Sequence, residues 1–256
     1  MAHEIFIKKG AKENLNLVAH PHLLSIDGPD GVGKGTFVTE FSRIMAKIYG
    51  SQTVVSTSGT RFEACSKSRI LMEKLKTTSN LLERNKLFLY STKIIFKEIV
   101  IPSLNANKIV ILDSSDLRHL AFVAAVHGED SSVWEDTFKQ ITGGVLTFRH
   151  QPGVRIILTA SPCDLLLNLR RRGSVDEGDP INKKEAKKRL KAYKKTIKIF
   201  KNLPITGNVR WIEVKNPAVP SYKIQKHLDK IIQEKIIPKL NLSSLHYLNH
   251  SPEKHL

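Results

Sequence analysis

Short apolar runs alternate along this chain with longer segments in which apolar residues recur every three or four positions. Leu23-Leu24-Ser25-Ile26-Asp27 predicts a strand ending at a glycine-rich turn. A helix is expected from Lys34 to Ile48, with Phe37, Phe41, Ile44, Met45 and Ile48 on one face and Gly50 closing it. Gln52 to Thr57, rich in Thr and Val, reads as a second strand, and Ser58-Gly59-Thr60 as a turn. Helices are expected from Glu63 to Leu75 and from Leu81 to Val100, the latter stopped by Pro102. Ile109-Val110-Ile111-Leu112, ending in Asp113, is a continuous apolar run, as a strand buried on both faces requires. Helices follow at Leu117 to Val126 and Trp134 to Thr142, then a buried strand at Val154 to Thr159. Asp164 to Arg171 predicts a helix running into a polar loop, Arg172 to Pro180. A basic helix, a strand from Val209 to Val214 and a helix from Tyr222 to Lys235 complete the pattern.

Strands alternating with helices predict an α/β fold of one parallel sheet with right-handed crossovers, flanked by helices in a three-layer sandwich. Residues 23–240 would form this domain, between an N-terminal extension (1–22) and a polar tail (241–256). Ligands of such sheets bind at the carboxyl ends of strands. The chemistry-bearing segments fall there: the glycine-rich turn, Thr57 to Arg61, and Asp113.

That turn reads Gly28-Pro29-Asp30-Gly31-Val32-Gly33-Lys34-Gly35-Thr36. Strand, glycine-rich loop and helix occur in the order a phosphate-binding P-loop demands. Backbone N–H groups and the positive end of the helix would cradle phosphate, and Lys34 would reach the β- and γ-phosphates. The strict pattern places Ser or Thr directly after the lysine as a magnesium ligand; here Gly35 stands there and Thr36 follows. Adenylate-kinase-like P-loops share this Gly-Lys-Gly-Thr text.

Composition narrows the picture. The chain has 256 residues, 41% hydrophobic and 25% charged, which suits one globular α/β domain with extensions. No apolar run approaches the ~20 residues of a membrane span, so no membrane partner is expected. Met1 to Asn16 has no apolar stretch and no small-residue cleavage site, which argues against a secretory signal. Two cysteines, Cys65 and Cys163, make no disulfide framework, and a reducing, cytoplasmic setting is the expectation. The 41 Lys and Arg against 24 Asp and Glu give a net charge of +17, a field that attracts nucleotides, nucleic acid or membranes alike. Much of the excess lies in Lys183 to Lys201, with ten basic residues and one acid, Glu185. That helix reads either as a solvated face or as a nucleic-acid surface.

In order along the chain, these features resemble the thymidylate kinase family of nucleoside monophosphate kinases. The carriers are Asp30-Gly31 in the P-loop, Pro102 before the third strand, Asp113 at its end, and Leu158-Thr159-Ala160-Ser161-Pro162. Leu169-Arg170-Arg171-Arg172-Gly173-Ser174-Val175-Asp176 looks like the family's arginine-rich lid (about 170–182), and Arg189-Leu190-Lys191-Ala192-Tyr193 like the helix after it. The resemblance spans about residues 23–238. It implies ATP as phosphate donor, Mg2+, and a nucleoside monophosphate acceptor. The departures lie on the acceptor side. Ser56-Thr57-Ser58-Gly59-Thr60-Arg61 stands where the family has Arg-Glu-Pro-Gly-Gly-Thr, Ser91-Thr92 where it has Asp-Arg, and Asp113-Ser114-Ser115 where it has Asp-Arg-Tyr.

The resemblance implies that Gly28, Asp30, Gly31, Val32, Gly33, Lys34, Gly35 and Thr36 hold the donor. Lys34 and a lid arginine (Arg170, Arg171 or Arg172) would carry the charge of the transferring phosphoryl group, since Pro29 and Val32 leave the P-loop without an arginine. The three arginines also read as cations at a helix C-terminus. Asp113 reads as an acceptor or magnesium-water ligand, or as a helix N-cap. Thr36 and Asp113 are the indirect metal candidates. Asp30, Arg61, Arg69, Asp113 and Arg118 are the acceptor candidates. Phe88 and Tyr90 read as base-stacking rings or as core. Nucleotides are the expected partners; a second copy of the chain is admitted, and no sequence feature decides it.

Overall fold

A computed structural model describes residues 17–58, 70, 71, 73, 74, 77–143, 149–173 and 179–240. Six strands form one sheet: β1 (Leu17–Asp27), β2 (Val54–Ser58), β3 (Ile109–Asp113), β4 (His150–Thr159), β5 (Ile205–Thr206) and β6 (Arg210–Lys215). Every pairing is parallel, in the order β2-β3-β1-β4-β6, with β5 added to β1. The main helices are α1 (Lys34–Tyr49), α2 (Leu81–Ile95), α3 (Asp116–His127), α4 (Ser132–Thr142), α5 (Pro162–Arg172), α6 (Lys183–Lys201) and α7 (Ile224–Ile231).

Alternation along the strands divides the core into layers. Leu24, Ile26, Ile109, Ile111 and Ile156 pack with Phe37, Phe41 and Met45 of α1 and with Leu228 and Ile231 of α7. On the other face Leu23, Val110 and Leu112 meet Ile95, Phe96 and Val100, while Ile157 joins Leu117, Leu120, Trp134, Phe138, Ile197 and Phe200. A sheet so covered on both faces must be apolar on both, which is why β3 reads as an unbroken run. The expected α/β sandwich is the fold observed.

Some element bounds differ from expectation. β1 begins at Leu17 rather than Leu23, so residues 17–22 belong to the sheet and not to an extension. Val18, Ala19 and His20 pair with His150, Gln151 and Pro152, which likewise lengthens β4 beyond Val154–Thr159. Polar residues and a register shift between His20 and Leu24 hid both extensions from the hydropathy pattern. Pro102 does not stop α2. The helix widens into a π turn over Phe96–Val100 and continues through Ile101–Asn105. The wide turn absorbs the proline, whose missing N–H falls at the start of the last segment. α7 likewise runs through a π turn to Leu240. The expected helix from Glu63 lies largely outside the described residues, as do Arg61 and Arg69. Among the described residues no helix is long and apolar enough to cross a membrane.

Candidate functional site

Register brings the site together. Asp113 of β3 lies beside Ile26 of β1 and Ser58 of β2, and Ile157 of β4 lies beside Asp27. The carboxyl ends of the central strands thus share one edge, where the chain leaves β1 through Gly28 to Gly33 and enters α1.

Two glycines of this loop are required by what surrounds them. A Cβ on Gly28 would stand 2.7 Å from the Leu158 carbonyl oxygen of β4. Gly31 has φ +85°, and a Cβ there would stand 2.7 Å from the Leu165 oxygen and 2.9 Å from Leu169 Cγ, both on α5. The loop is therefore wedged between β4 and α5, with no room for a side chain at Gly28 or Gly31. Two amides fasten it: Asn168 Nδ2 donates to the Gly31 oxygen at 2.9 Å and Asn216 Nδ2 to the Val32 oxygen at 2.7 Å. Neither asparagine is marked by its sequence context.

Lys34 is almost fully buried. Its ammonium donates to the Gly28 oxygen at 2.8 Å and the Pro29 oxygen at 3.0 Å, and lies 3.5 Å from Asp30 Oδ1. Burial pulls the Lys34 pKa below its ordinary value, although Asp30 opposes this. Arg118, from α3, donates to Asp30 Oδ1 at 3.0 Å. Burial raises the Asp30 pKa, but Arg118, Lys34 and Arg189 together outweigh it and hold the carboxyl well below the carboxylate range. Asp30 in turn raises the Arg118 pKa. Two of the acceptor candidates, Asp30 of the P-loop and Arg118 of α3, are thus paired with each other, and the charge of Arg189 of α6 acts on the same carboxylate. The Arg189 guanidinium stacks 4.8 Å from the Phe122 ring centroid. Asp113 sits half-buried at the end of β3, with Ser114 Oγ donating to it at 3.4 Å, close enough to Lys34 to favour its charged form. The N-cap of α3 is Ser115, so Asp113 does not fill that role.

Beneath the P-loop lies a polar network that sequence reasoning missed. Asp27, fully buried, accepts from Ser25 Oγ at 2.8 Å, from the Ser115 N–H at 2.7 Å and from Ser115 Oγ at 2.9 Å. Arg155 of β4, also fully buried, donates through Nη1 to Ser115 Oγ at 2.8 Å and through Nη2 to Gln151 Oε1 at 2.5 Å. Its Nη2 lies 3.4 Å from Asp116 Oδ1, and its Nη1 lies 3.9 Å from Asp27 Oδ2. Phe200 and Trp211 lie 5.0 and 5.5 Å from its guanidinium carbon. Burial raises the Asp27 pKa against the opposing pull of Arg155 and the Ser115 donors. A buried charge needs such partners. The network ties the residue before Gly28 to the first turn of α3, the helix that carries Arg118. An arginine inside an apolar strand was its one sequence signal.

The α2–α3 side is built differently. Thr92 Oγ1 donates to the Phe88 oxygen at 3.0 Å, so its oxygen accepts the Nε2–H of His119 at 2.9 Å. Burial and the neighbouring Arg118 depress the His119 pKa to about 4, which leaves a neutral imidazole. The Phe88 ring lies 6.0 Å from both the His119 ring and the Arg118 guanidinium. Tyr90 is exposed.

The lid arginines occupy the last turn of α5, before Gly173 in the left-handed region. Arg170 is exposed, Arg171 Nη1 donates to the Val219 oxygen at 2.8 Å, and Arg172 pairs with Asp179. In this arrangement α5 meets the P-loop through Leu165, Asn168 and Leu169. Thr36 is exposed on the first turn of α1. Among the described residues, no group of three or more His, Cys, Asp or Glu side chains gathers as a metal cage.

No protein-family description matches this chain, and no curated protein does. Its structure is similar to that of thymidylate kinase from Ehrlichia chaffeensis, with a TM-score of 0.57 and 18% identity over 82% of this chain and 96% of that one. A likeness at that identity is one of fold, and the fold it identifies is the P-loop α/β sandwich, a parallel sheet flanked by helices.

Proposed function

We propose that this chain is an ATP-dependent nucleotide kinase that phosphorylates a nucleoside monophosphate, with dTMP to dTDP as the best single reaction. The observation that carries this reading is the wedged P-loop, with buried Lys34 and with Arg118 held to its aspartate. The likeness to a thymidylate kinase supports it. The glycines let the loop pack closely on β4 and α5, and its backbone N–H groups and the positive end of α1 would meet the phosphate chain.

Lys34 would move from the Gly28 and Pro29 carbonyls to the β- and γ-phosphates. Arg118 would turn from Asp30 to the acceptor phosphate, a change its planar fork allows. The reading requires one of Arg170, Arg171 and Arg172 to reach the transferring phosphoryl group. Magnesium, when bound, neutralises phosphate charge. Thr36 and Asp113 would hold it largely through water and phosphate oxygens, which suits this cation.

A second reading keeps the donor chemistry and changes the acceptor to a nucleoside or another small molecule. Thr92 paired with neutral His119 favours it, because the resemblance places an Asp-Arg pair there. A nucleotide-binding protein without turnover is the remaining alternative. Coupled measurement of ADP release with MgATP and a panel of nucleoside monophosphates and nucleosides separates the three. Acceptor-dependent release is expected, largest with dTMP. Release with nucleosides alone establishes the second reading, and the lack of acceptor-dependent release with every compound tested overturns both kinase readings.

A further inference from the structure

The outer face of α6 has charge without counter-charge. Nine lysines lie on this helix, all of them exposed. Lys195 pairs with Glu129 at 2.9 Å and Lys201 with Glu213 at 3.2 Å. Among the described residues the other seven have no ion pair. Five of them, Lys184, Lys187, Lys191, Lys194 and Lys198, follow the i, i+3, i+7, i+10, i+14 spacing that keeps side chains on one line. At 1.5 Å per residue the line is about 21 Å long. The helix's single acid, Glu185, is held at its start, accepting from the Ile181 N–H at 3.0 Å and from Asn182 Nδ2 at 3.1 Å.

This arrangement works against the helix. Lys183 and Lys184 sit in the first turn, where the macrodipole favours acids. Lys184 with Lys188, Lys187 with Lys191, and Lys194 with Lys198 are like charges four apart, each destabilising by about 0.2–0.5 kcal/mol. Packing on the opposite face holds the helix in place: Ala186, Tyr193, Ile197 and Phe200 are all buried.

We propose that this lysine face docks on the phosphate backbone of duplex nucleic acid. The chemistry selects that partner. A membrane-surface helix buries an apolar face in lipid, and the apolar face of α6 is already committed to the core. Single-strand binders add aromatic platforms, and both aromatic positions of α6, Tyr193 and Phe200, face inward. A straight row of ammonium groups instead matches a ladder of fixed phosphates with one charge per ~1.7 Å of duplex axis. Lysines lack the planar fork that reads base edges, so the contact is indifferent to sequence.

The test is fluorescence anisotropy with a labelled 20-base-pair DNA duplex of arbitrary sequence, from 50 to 200 mM KCl. It reads binding directly and does not depend on any kinase activity. Engaging five phosphates gives a log–log salt slope of about −4.5. The variant with Lys184, Lys187, Lys191, Lys194 and Lys198 all changed to Gln should lose most of that slope. It should also lose at least ~10-fold in affinity at 150 mM salt. Its unfolding midpoint should equal or exceed that of the parent, because like-charge repulsion is relieved. A control removes five charges elsewhere, by Lys223→Gln just before the last helix and Lys226→Gln, Lys230→Gln, Lys235→Gln and Lys239→Gln along it, and should keep most of the slope. Equal losses in the two variants overturn the proposal, since net charge alone would then explain binding. So do an unchanged slope in the α6 variant, and binding of phosphatidylserine vesicles in place of the duplex at 150 mM salt.

Discussion

The P-loop and the α2–α3 face lie side by side in this molecule, yet they are supported in opposite ways. The P-loop is fixed from below by buried charge. Asp27, Ser115 and Arg155 join three elements through hydrogen bonds of 2.7–3.0 Å, and Asn168 and Asn216 hold the loop from above. The α2–α3 face relies on a neutral pair, Thr92 and His119, and on rings at looser van der Waals distance. Under the proposed function the loop would hold a phosphate chain, which is the same in every nucleotide, and a rigid cradle would suit it; the α2–α3 side would face the acceptor. Arg118 stands between the two regions, bound to the P-loop's aspartate on one side and lying by Phe88 on the other.

The comparison breaks most readily at Lys34. Lys34→Ala should lower turnover by ~10³-fold or more, since it removes the donor-side charge that phosphoryl transfer depends on. The protein should remain folded, since Arg118 still pairs with Asp30. Turnover retained in a steady-state assay would mean that the P-loop is not the donor site.

Arg155→Met tests the buried support. It leaves Asp27 and Asp116 without their cation and should cost about 3–5 kcal/mol in a urea titration. Adding Asp27→Asn should recover part of that loss. If the single variant is as stable as the parent, the network does not hold the P-loop.

His119 makes the other side sensitive to pH. Its folded pKa is about 4 against an ordinary 6.5, so between those values the unfolded chain binds more protons. Its contribution is intact above pH 6.5 and is lost as pH falls toward 4, by about 3 kcal/mol at most. His20, His22 and His150 are depressed in the same direction, chiefly by burial. The difference between the parent and His119→Gln isolates the single site: the variant's stability should fall less steeply over that interval. Parallel profiles would show that His119 is not held neutral by the fold.

The smallest effect sharpens the division. Arg118→Lys keeps the charge and loses the fork, and should raise the acceptor KM about 10-fold while leaving the affinity for an ATP analogue near that of the parent. Equal losses on both sides would make Arg118 a donor residue.

The glycine-rich loop was legible in the sequence because its information is local. Strand, glycines, lysine and helix are consecutive, and Gly28 to Thr36 fold where they stand. The apolar runs likewise announced the parallel sheet, since a strand buried on both faces can contain little else. The lid arginines were visible as a cluster, but their partners, the Val219 oxygen and Asp179, were not. Only the tertiary structure could decide what meets across the chain. Ser115 and Arg155 reach Asp27 from 88 residues away and from the neighbouring strand, and Asn216 reaches Val32 across 184 residues. Such contacts leave no periodic trace, because one buried polar residue in a strand satisfies its hydrogen bonds with groups chosen by register. The same holds for the start of β1, which is drawn into the sheet by His150 to Pro152 on one side and Ile205 and Thr206 on the other. Hydropathy determines which segments must be covered; register and packing determine which polar groups then face one another.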